Sequence, residues 1–448
     1  MSFAEHLAAF RAEHPEIEVA EVYVSDLNTQ ARGKLVPIDM LEKLTTGGMK
    51  LPVSTLGLDI FGSDVPESGI AIEIGDPDGV LLPVAETLAP MLWAGRPTAQ
   101  LQCMMSDASG GRVCPFDPRG VLSRVLDRAT AGGLSAVMAL ELEFYLIDPV
   151  EPLPPINPVA GGRLNRAQIY DMDVMRAFEP VMAEIAQAAK ALGAPAETAI
   201  CEFGAGQFEI NLRHVDDALA ACDHMVALKR AIRGVARRHR MDASFMAKPF
   251  GAMAGSGQHL HLSLWDGDGA NVFAGNAAEG SALRRAVAGV LATMPEAMLI
   301  FAPHHNSYRR LTPGSYAPTT AAWGYDNRSV AVRVPEVDGA GARIEHRVAG
   351  ADANPYLIAA AVLAAAVAGL CAEAAGPEPL AAEAGSTDGT PLPMSWAIAE
   401  QEFAASDFVA SWLGAEFQRV FAAVKRQERA TLMARIPDAE YDAYLRKA

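Results

Sequence analysis

The sequence predicts an α+β protein: a small β-rich N-terminal part, then a larger part in which helices alternate with strands. Two observations carry this. From Glu18 to about Pro83, short apolar runs such as Ala20–Val24 and Val80–Val84 alternate with turn residues. From Asp117-Pro118 onward, long helical patterns separate short stretches of strict apolar–polar alternation. At 448 residues the chain is long enough for two or three domains and an ample core.

Taken in order, residues 1–15 read as a short amphipathic helix. Residues 85–117, with prolines at 90, 97 and 115, are less regular and read as a link between the two parts. Asp117 can cap a helix with Pro118 at its first position, and the helix runs to Gly132-Gly133. A strand follows at Leu140–Leu146, then a proline- and glycine-rich loop over 151–165. Helical patterns fill about 170–192 and 215–240. Strands return near 200–213, 243–248 and 258–265. Another helix fits 278–298, a long loop spans about 302–328, and strands occupy 329–335 and 343–349. The uncharged stretch Pro355 to Ala372 is short for a membrane span and is flanked by Asp352 and Glu373. It reads as a buried helix with Asn354 as N-cap, Pro355 at the first position and Gly376 beyond its end. Residues 376–393 read as exposed, and the chain is helical from about 395.

Half the residues are hydrophobic and 20% are charged, as in soluble globular proteins. The net charge of −17 argues against nucleic acid or an anionic membrane as partner. Five cysteines without a C-x-x-C pair fit a reducing compartment, and no signal peptide is visible, so the expected location is the cytoplasm.

The strands carry the chemistry. In Leu140–Leu146, the residues Leu140, Leu142, Phe144 and Leu146 share one face, which leaves Glu141 and Glu143 on the other. Phe208-Glu209-Ile210-Asn211-Leu212 repeats the pattern, with Glu202 seven residues before Glu209. His259-Leu260-His261-Leu262-Ser263 does so with histidines, and Arg343-Ile344-Glu345-His346-Arg347 with a glutamate between arginines. Repeated carboxylates opposite a core face repel unless something positive lies between them. The economical answer is metal: one cation among Glu143, Glu202 and Glu209, and a second among Glu141, His259 and Glu345, although spacing alone does not divide ligands between ions. Ligands that are mostly oxygen suit Mg²⁺ or Mn²⁺. Arg309, Arg310, Arg328, Arg333, Arg343 and Arg347 cluster around the same strands, where guanidinium forks fit phosphate or carboxylate. Gly255-Ser256-Gly257 feeds the histidine strand, and glycine there lets a ligand approach the backbone.

Gly255-Ser256-Gly257-Gln258-His259-Leu260-His261, Asn306 to Gly314, Asn327-Arg328-Ser329 and Ala353-Asn354-Pro355-Tyr356-Leu357 resemble the glutamine synthetase family, in the family's order and across nearly the whole chain. The resemblance implies an N-terminal β-grasp domain over 1–110. It also implies a larger catalytic domain over 111–448, with a curved antiparallel sheet and surrounding helices. Active sites would form between neighbouring subunits, with a dodecamer of two stacked rings expected. It implies ATP and two or three Mg²⁺ or Mn²⁺ ions, with Glu143, Glu202 and Glu209 at one and Glu141, His259 and Glu345 at another. Gly255, Arg310 and Arg347 match residues that hold glutamate. Arg328 matches the arginine facing the transferred phosphate. His261, Ser263, Arg333 and Arg343 match nucleotide contacts. Asp26 matches an aspartate that reaches into the neighbouring subunit's site and helps deprotonate the attacking amine.

The sequence departs from true glutamine synthetases at Gly314-Ser315-Tyr316-Ala317-Pro318. There Tyr316 stands where a glutamate would bind ammonium, and its aromatic face suits an alkylammonium. The segment 388–396 lacks the tyrosine that bacterial glutamine synthetases use for adenylylation. Ser25-Asp26-Leu27-Asn28, Gly206 to Leu212 and Phe245 to Pro249 are most similar to the γ-glutamylpolyamine branch, especially γ-glutamylputrescine synthetases. The expected function is ATP-dependent ligation of the γ-carboxyl of L-glutamate to a primary amine, putrescine or another polyamine, through γ-glutamyl phosphate, as a step in polyamine breakdown. The rivals are glutamine synthesis from ammonia, glutamylation of a monoamine such as methylamine or ethanolamine, and a non-catalytic structural relative.

Overall fold

A computed structural model of the chain describes residues 1–107, 109–275, 280–372, 375–380 and 389–448. Its first strands are β1 (Val19–Ser25), β2 (Ala31–Pro37), β3 (Lys50–Pro52), β4 (Asp78–Pro83), β5 (Ala89–Pro90) and β6 (Thr98–Met105). They form a six-stranded sheet in the order β2-β1-β6-β4-β3, with β5 on β6. Helix α1 (Phe3–Glu13) precedes them, started by a Ser2–Glu5 capping box. Strand β6 corrects the expectation of an irregular link over 85–117. It lies at the centre of this sheet, parallel to β1 and antiparallel to β4. Its buried polar residues hid it: Gln100 accepts from Arg230 at 2.8 Å, and Gln102 donates to Tyr356 at 2.5 Å. The alternation that marks a half-buried strand is therefore absent.

The second sheet holds the residues of interest. Its strands are β7 (Ser135–Ile147), β8 (Ala196–Cys201), β9 (Gln207–Leu212), β10 (Asp242–Ser244), β11 (Gln258–Trp265), β13 (Trp323–Tyr325), β14 (Val332–Glu336) and β15 (Arg343–His346). The order is β13-β14-β15-β11-β7-β9-β8, with β10 on β7, and every pairing is antiparallel except β13–β14. Strands β12 (Thr320–Ala321) and β16 (Thr390–Pro391) form a separate pair, and together with β13 they lie in regions read as loop. Residues 381–388 of the segment expected to be exposed lie outside the described residues.

Helices pack on the apolar face: α2 (Pro118–Ala131), α3 (Met172–Ala177), α4 (Glu179–Ala191), α5 (Ala218–Arg238), α6 (Ala282–Phe301) and α8 (Pro355–Ala372), while the single turn α7 (Ser307–Arg310) carries Arg309 and Arg310. Four more close the chain: α9 (Trp396–Ala405), α10 (Asp407–Val409), α11 (Ala415–Met433) and α12 (Asp438–Tyr444). Asp117 caps α2 through a 2.9 Å bond from Gly120 N–H, and Asn354 accepts from Tyr356 N–H at 3.1 Å at the start of α8. Helix α8 is long and apolar enough to cross a membrane, but it lies buried inside the fold. It crosses α6 at Gly289 and Gly369, where the backbones touch. A Cβ at Gly289 would meet Ala365 O at 2.1 Å, and one at Gly369 would meet Arg285 O at 2.2 Å.

Candidate active site

Strand register gathers the acids and histidines that alternation placed on polar faces. Across β9, β7, β11, β15 and β14, Glu209 pairs with Glu143, His259 with Glu141, His261 with Glu345, and Glu345 with Arg333. Cross-strand neighbours share a face, so these residues form one continuous polar row. Behind it lie the buried Leu140, Leu142, Phe144, Phe208, Ile210, Leu260, Leu262, Ile344 and Val332. One residue departs from the sequence reading. Glu202 lies just past the end of β8, in the turn to β9, and not on an alternating strand.

Glu141 sits at the centre. It meets His261 Nε2 at 2.9 Å and His259 Nδ1 at 3.1 Å, and accepts from Asn211 Nδ2 at 3.2 Å. Glu345 accepts from Arg333 at 2.8 Å and from Arg347, and lies 3.7 Å from His259. Glu143 accepts from Gly257 N–H at 2.8 Å. Among the described residues, two groups bring ligand atoms within 4.8 Å of one another: Glu141, Glu209 and His259, and Glu141, His261 and Glu345. These differ from the two expected triads, because Glu141 belongs to both and His261 replaces His259 beside Glu345.

Charge compensation is uneven along the row. Burial raises the pKa of Glu141 and Glu345, but the two histidines hold Glu141 well below the usual range. Arg347, followed by the histidines, holds Glu345 at about 2. At the β9 end no ion pair among the described residues reaches Glu202 or Glu209, and Arg347 offsets the repulsion at Glu202 only in part. Burial, then Glu143, pushes Glu202 up to about 7, and burial, then Glu141, Glu143 and Glu202, pushes Glu209 well above the ordinary carboxylate value. Buried acids that repel one another lack a counter-charge, and a divalent cation supplies it. The donor set therefore fits the implied metal.

A cavity of about 340 Å³ opens beside this end. Glu143, Glu202, His259, Gly255, Arg310, Arg347 and Tyr316 line it, which brings together residues that sequence reading assigned to metal, glutamate and amine. Arg310 is buried and donates to Val348 O at 2.8 Å and Arg347 O at 3.3 Å. Gly255 admits it closely, since a Cβ there would meet Arg310 Cγ at 2.6 Å. Ile169, Phe203, Lys248 and Met253 also line it, and sequence reading missed all four in this role. They come from separate loops with no shared period. Asn211 was legible, being the next polar residue after Glu209 on the same strand face.

The other expected residues lie outside the lining of this cavity. His261 meets Arg343 Nε at 3.3 Å, and the buried Ser263 accepts from Trp265 Nε1 at 3.0 Å. Arg333 bridges Glu345 and Asp326. Arg328 is exposed on the β13–β14 turn and does not line the cavity. Asp26 is fully buried after β1, accepting from Gln30 N–H at 2.7 Å, Asn28 N–H at 2.8 Å and Arg32 Nε at 2.9 Å. Burial pushes its pKa up to about 6 against the pull of these donors. No hydrogen bond or ion pair among the described residues joins it to the acid–histidine row of its own chain.

Comparison with known proteins gives a consistent result. Residues 115–444 match the glutamine synthetase catalytic domain. The chain is 38% identical over 455 aligned positions to a gamma-glutamylputrescine synthetase of Escherichia coli strain K12, covering 100% of this chain and 96% of that one. It is 33% identical over 365 positions to a glutamate–isopropylamine ligase of a Pseudomonas species, covering 78% and 77%. The solved structure of GmaS in complex with ADP superposes with a TM-score of 0.85 at 29% identity, covering 98% and 99%.

Proposed function

The chain belongs to the glutamine synthetase family, and we propose that it is an ATP-dependent carbon–nitrogen ligase joining the γ-carboxyl of L-glutamate to a primary amine, with putrescine or another polyamine as the amine. One observation carries the reading: the acid–histidine row shares a cavity with two arginines, and Ile169, Phe203, Met253 and Tyr316 give that cavity apolar and aromatic surface beside Lys248. The first half suits a phosphorylated carboxylate. The second suits an alkylammonium better than ammonium.

A γ-carboxylate is a poor electrophile, and phosphorylation by ATP makes it an acyl phosphate open to attack. Glu143, Glu202 and Glu209 would hold one divalent ion, and Glu141, His259 and Glu345 a second. Such ions supply neutralisation of the phosphate charge. Arg310, Arg347 and the Gly255 backbone would orient glutamate. Arg328 would face the transferred phosphoryl group. His261, Ser263, Arg333 and Arg343 would contact the nucleotide. The amine arrives protonated, because alkylammonium pKa values lie near ~10. Asp26 of a neighbouring subunit would bind it and accept its proton. Tyr316, Ile169 and Phe203 would cover its methylenes. The same proposal divides the chain at 110/111, places active sites between subunits of a dodecamer, and puts the enzyme in the cytoplasm.

The test is ATP- and glutamate-dependent phosphate release across a panel of ammonium, methylamine, ethanolamine, putrescine, cadaverine and spermidine. Putrescine or another polyamine should be preferred, and ammonium should be a very poor substrate. Glutamine formation from ammonium as fast as coupling of putrescine would replace the polyamine reading with glutamine synthesis.

A further inference from the structure

A second charge cluster, opposite in sign, lies away from the acid–histidine row. On α5, Lys229, Arg230, Arg233 and Arg237 fall close to one helical face, with Arg238 at its edge. They line a cleft of about 880 Å³ whose other wall, from the first sheet and the segments beside it, includes Glu21, Gln30 and Trp93. A second cavity of about 360 Å³ shares Gln30, Lys229 and Arg233 with it. Neither shares a lining residue with the candidate active site. In a chain of net charge −17, five cations around one cleft demand an explanation.

The acids present do not balance them. Arg230 pairs with Glu21 at 2.5 Å, and Arg237 lies 3.5 Å from Asp242. Arg238 donates to Leu92 O at 2.8 Å and lies 3.9 Å from Glu184. Among the described residues, the buried Lys229 donates only to backbone, to Ala351 O at 2.8 Å and Ala353 O at 3.3 Å. Arg233 lies over the Phe245 ring at 4.7 Å and has no hydrogen bond or ion pair among the described residues. Burial, then Arg233, lowers the Lys229 pKa to about 7, with Asp352 opposing, and burial lowers that of Arg233. Cations held out of water without a carboxylate partner gain most from an anion, and a guanidinium fork fits an oxyanion bidentately.

We propose that this cleft binds a small dianion, a short dicarboxylate or a phosphate group, between Arg233 and Arg237 above Lys229. Trp93 provides the reporter. It packs so closely on Gly234 that a Cβ there would meet Trp93 Cδ1 at 2.1 Å. The experiment titrates the full-length protein separately with inorganic phosphate and with glutarate, in saturating ATP and magnesium, by calorimetry and tryptophan fluorescence. Saturable binding of at least one probe is expected, weakened roughly tenfold or more in Arg233→Gln/Arg237→Gln. Circular dichroism and amine-dependent phosphate release should be unchanged in that variant. Binding of phosphate alone, or of glutarate alone, names the source of the dianion. Arg237→Gln alone, at an exposed position, should weaken binding several-fold and serves if the double variant misfolds. The proposal fails if wild type binds neither probe. It fails equally if the variants bind as wild type does, which would place the anion in the active site. Loss of self-association in the variants without any anion binding would assign the cleft to a protein contact. Binding is read apart from turnover, so the outcome does not depend on which amine is ligated.

Discussion

On the proposed reading, Tyr316 bears on the choice of amine. It is 72% exposed on the rim of the cavity, in the loop turned by Gly314 at φ 81°. A buried methylene contributes about 0.8 kcal/mol and a cation–π contact roughly 0.5–2 kcal/mol. Exposure puts this ring at the lower end. Tyr316→Ala should therefore lower kcat/KM for putrescine about two- to fivefold, equivalent to roughly 0.5–1 kcal/mol, with KM for ATP and glutamate unchanged. A drop in glutamate affinity of the same size would mean that the loop shapes the whole cavity. Glu202 and Glu209 make a second prediction. Their folded pKa values are raised, Glu202 to about 7 from 4.5, so between those values the unfolded chain loses protons first. Stability of the metal-free protein should then fall as pH rises from about 4.5 through about 7, by on the order of a few kcal/mol. Magnesium should remove the loss, and Glu209→Gln should reduce it. Denaturant midpoints at several pH values, in chelator and in magnesium, measure this. Midpoints that ignore both pH and magnesium would discard the idea that uncompensated acids await a cation.

At the scale of elements, legibility followed period. Strands β7, β9, β11 and β15 were readable because one face is apolar and the other carries acids, histidines or arginines, and their polar residues do lie on one sheet face. Alternation cannot supply strand order, so it could not show that Glu141 touches both histidines. Nor could it show that Glu202 reaches the site from a turn. Strand β6 escaped because both its faces are buried and its glutamines are satisfied by distant helices. Helix α8 was readable from its cap and composition, but its close backbone approach to α6 at Gly289 and Gly369 was not. Since a Cβ at Gly289 would fall 2.1 Å from a backbone oxygen that no rotamer change can move, Gly289→Ala must push the helices apart. Overpacking of this kind costs about 1–3 kcal/mol. Urea unfolding should show that loss. An unchanged midpoint would mean that α6 shifts freely against α8.

At the scale of the whole molecule, the question is where Asp26 acts. In its own chain it is buried against Arg32 and two backbone N–H groups, and no hydrogen bond or ion pair among the described residues connects it to the acid–histidine row. A base for the amine must come within hydrogen-bond reach of it. Asp26 can therefore serve only if its loop is presented to another chain's cavity, and assembly would have to rearrange its present hydrogen bonds. Such a shared site makes a prediction that no single-chain mechanism makes. Asp26→Ala and Arg328→Ala subunits, each inactive alone, should regain activity when unfolded together and reassembled, because some interfaces then pair an intact Asp26 with an intact Arg328. With random mixing at equal amounts, about one interface in four qualifies if the two residues act independently. Activity should therefore approach roughly a quarter of wild type. Recovery should also need ionised Asp26 and weaken at acid pH, where the carboxyl takes up a proton and can no longer accept one from the amine. Mixed assemblies verified by mass spectrometry but still inactive would return Asp26 to a structural role, holding the turn after β1.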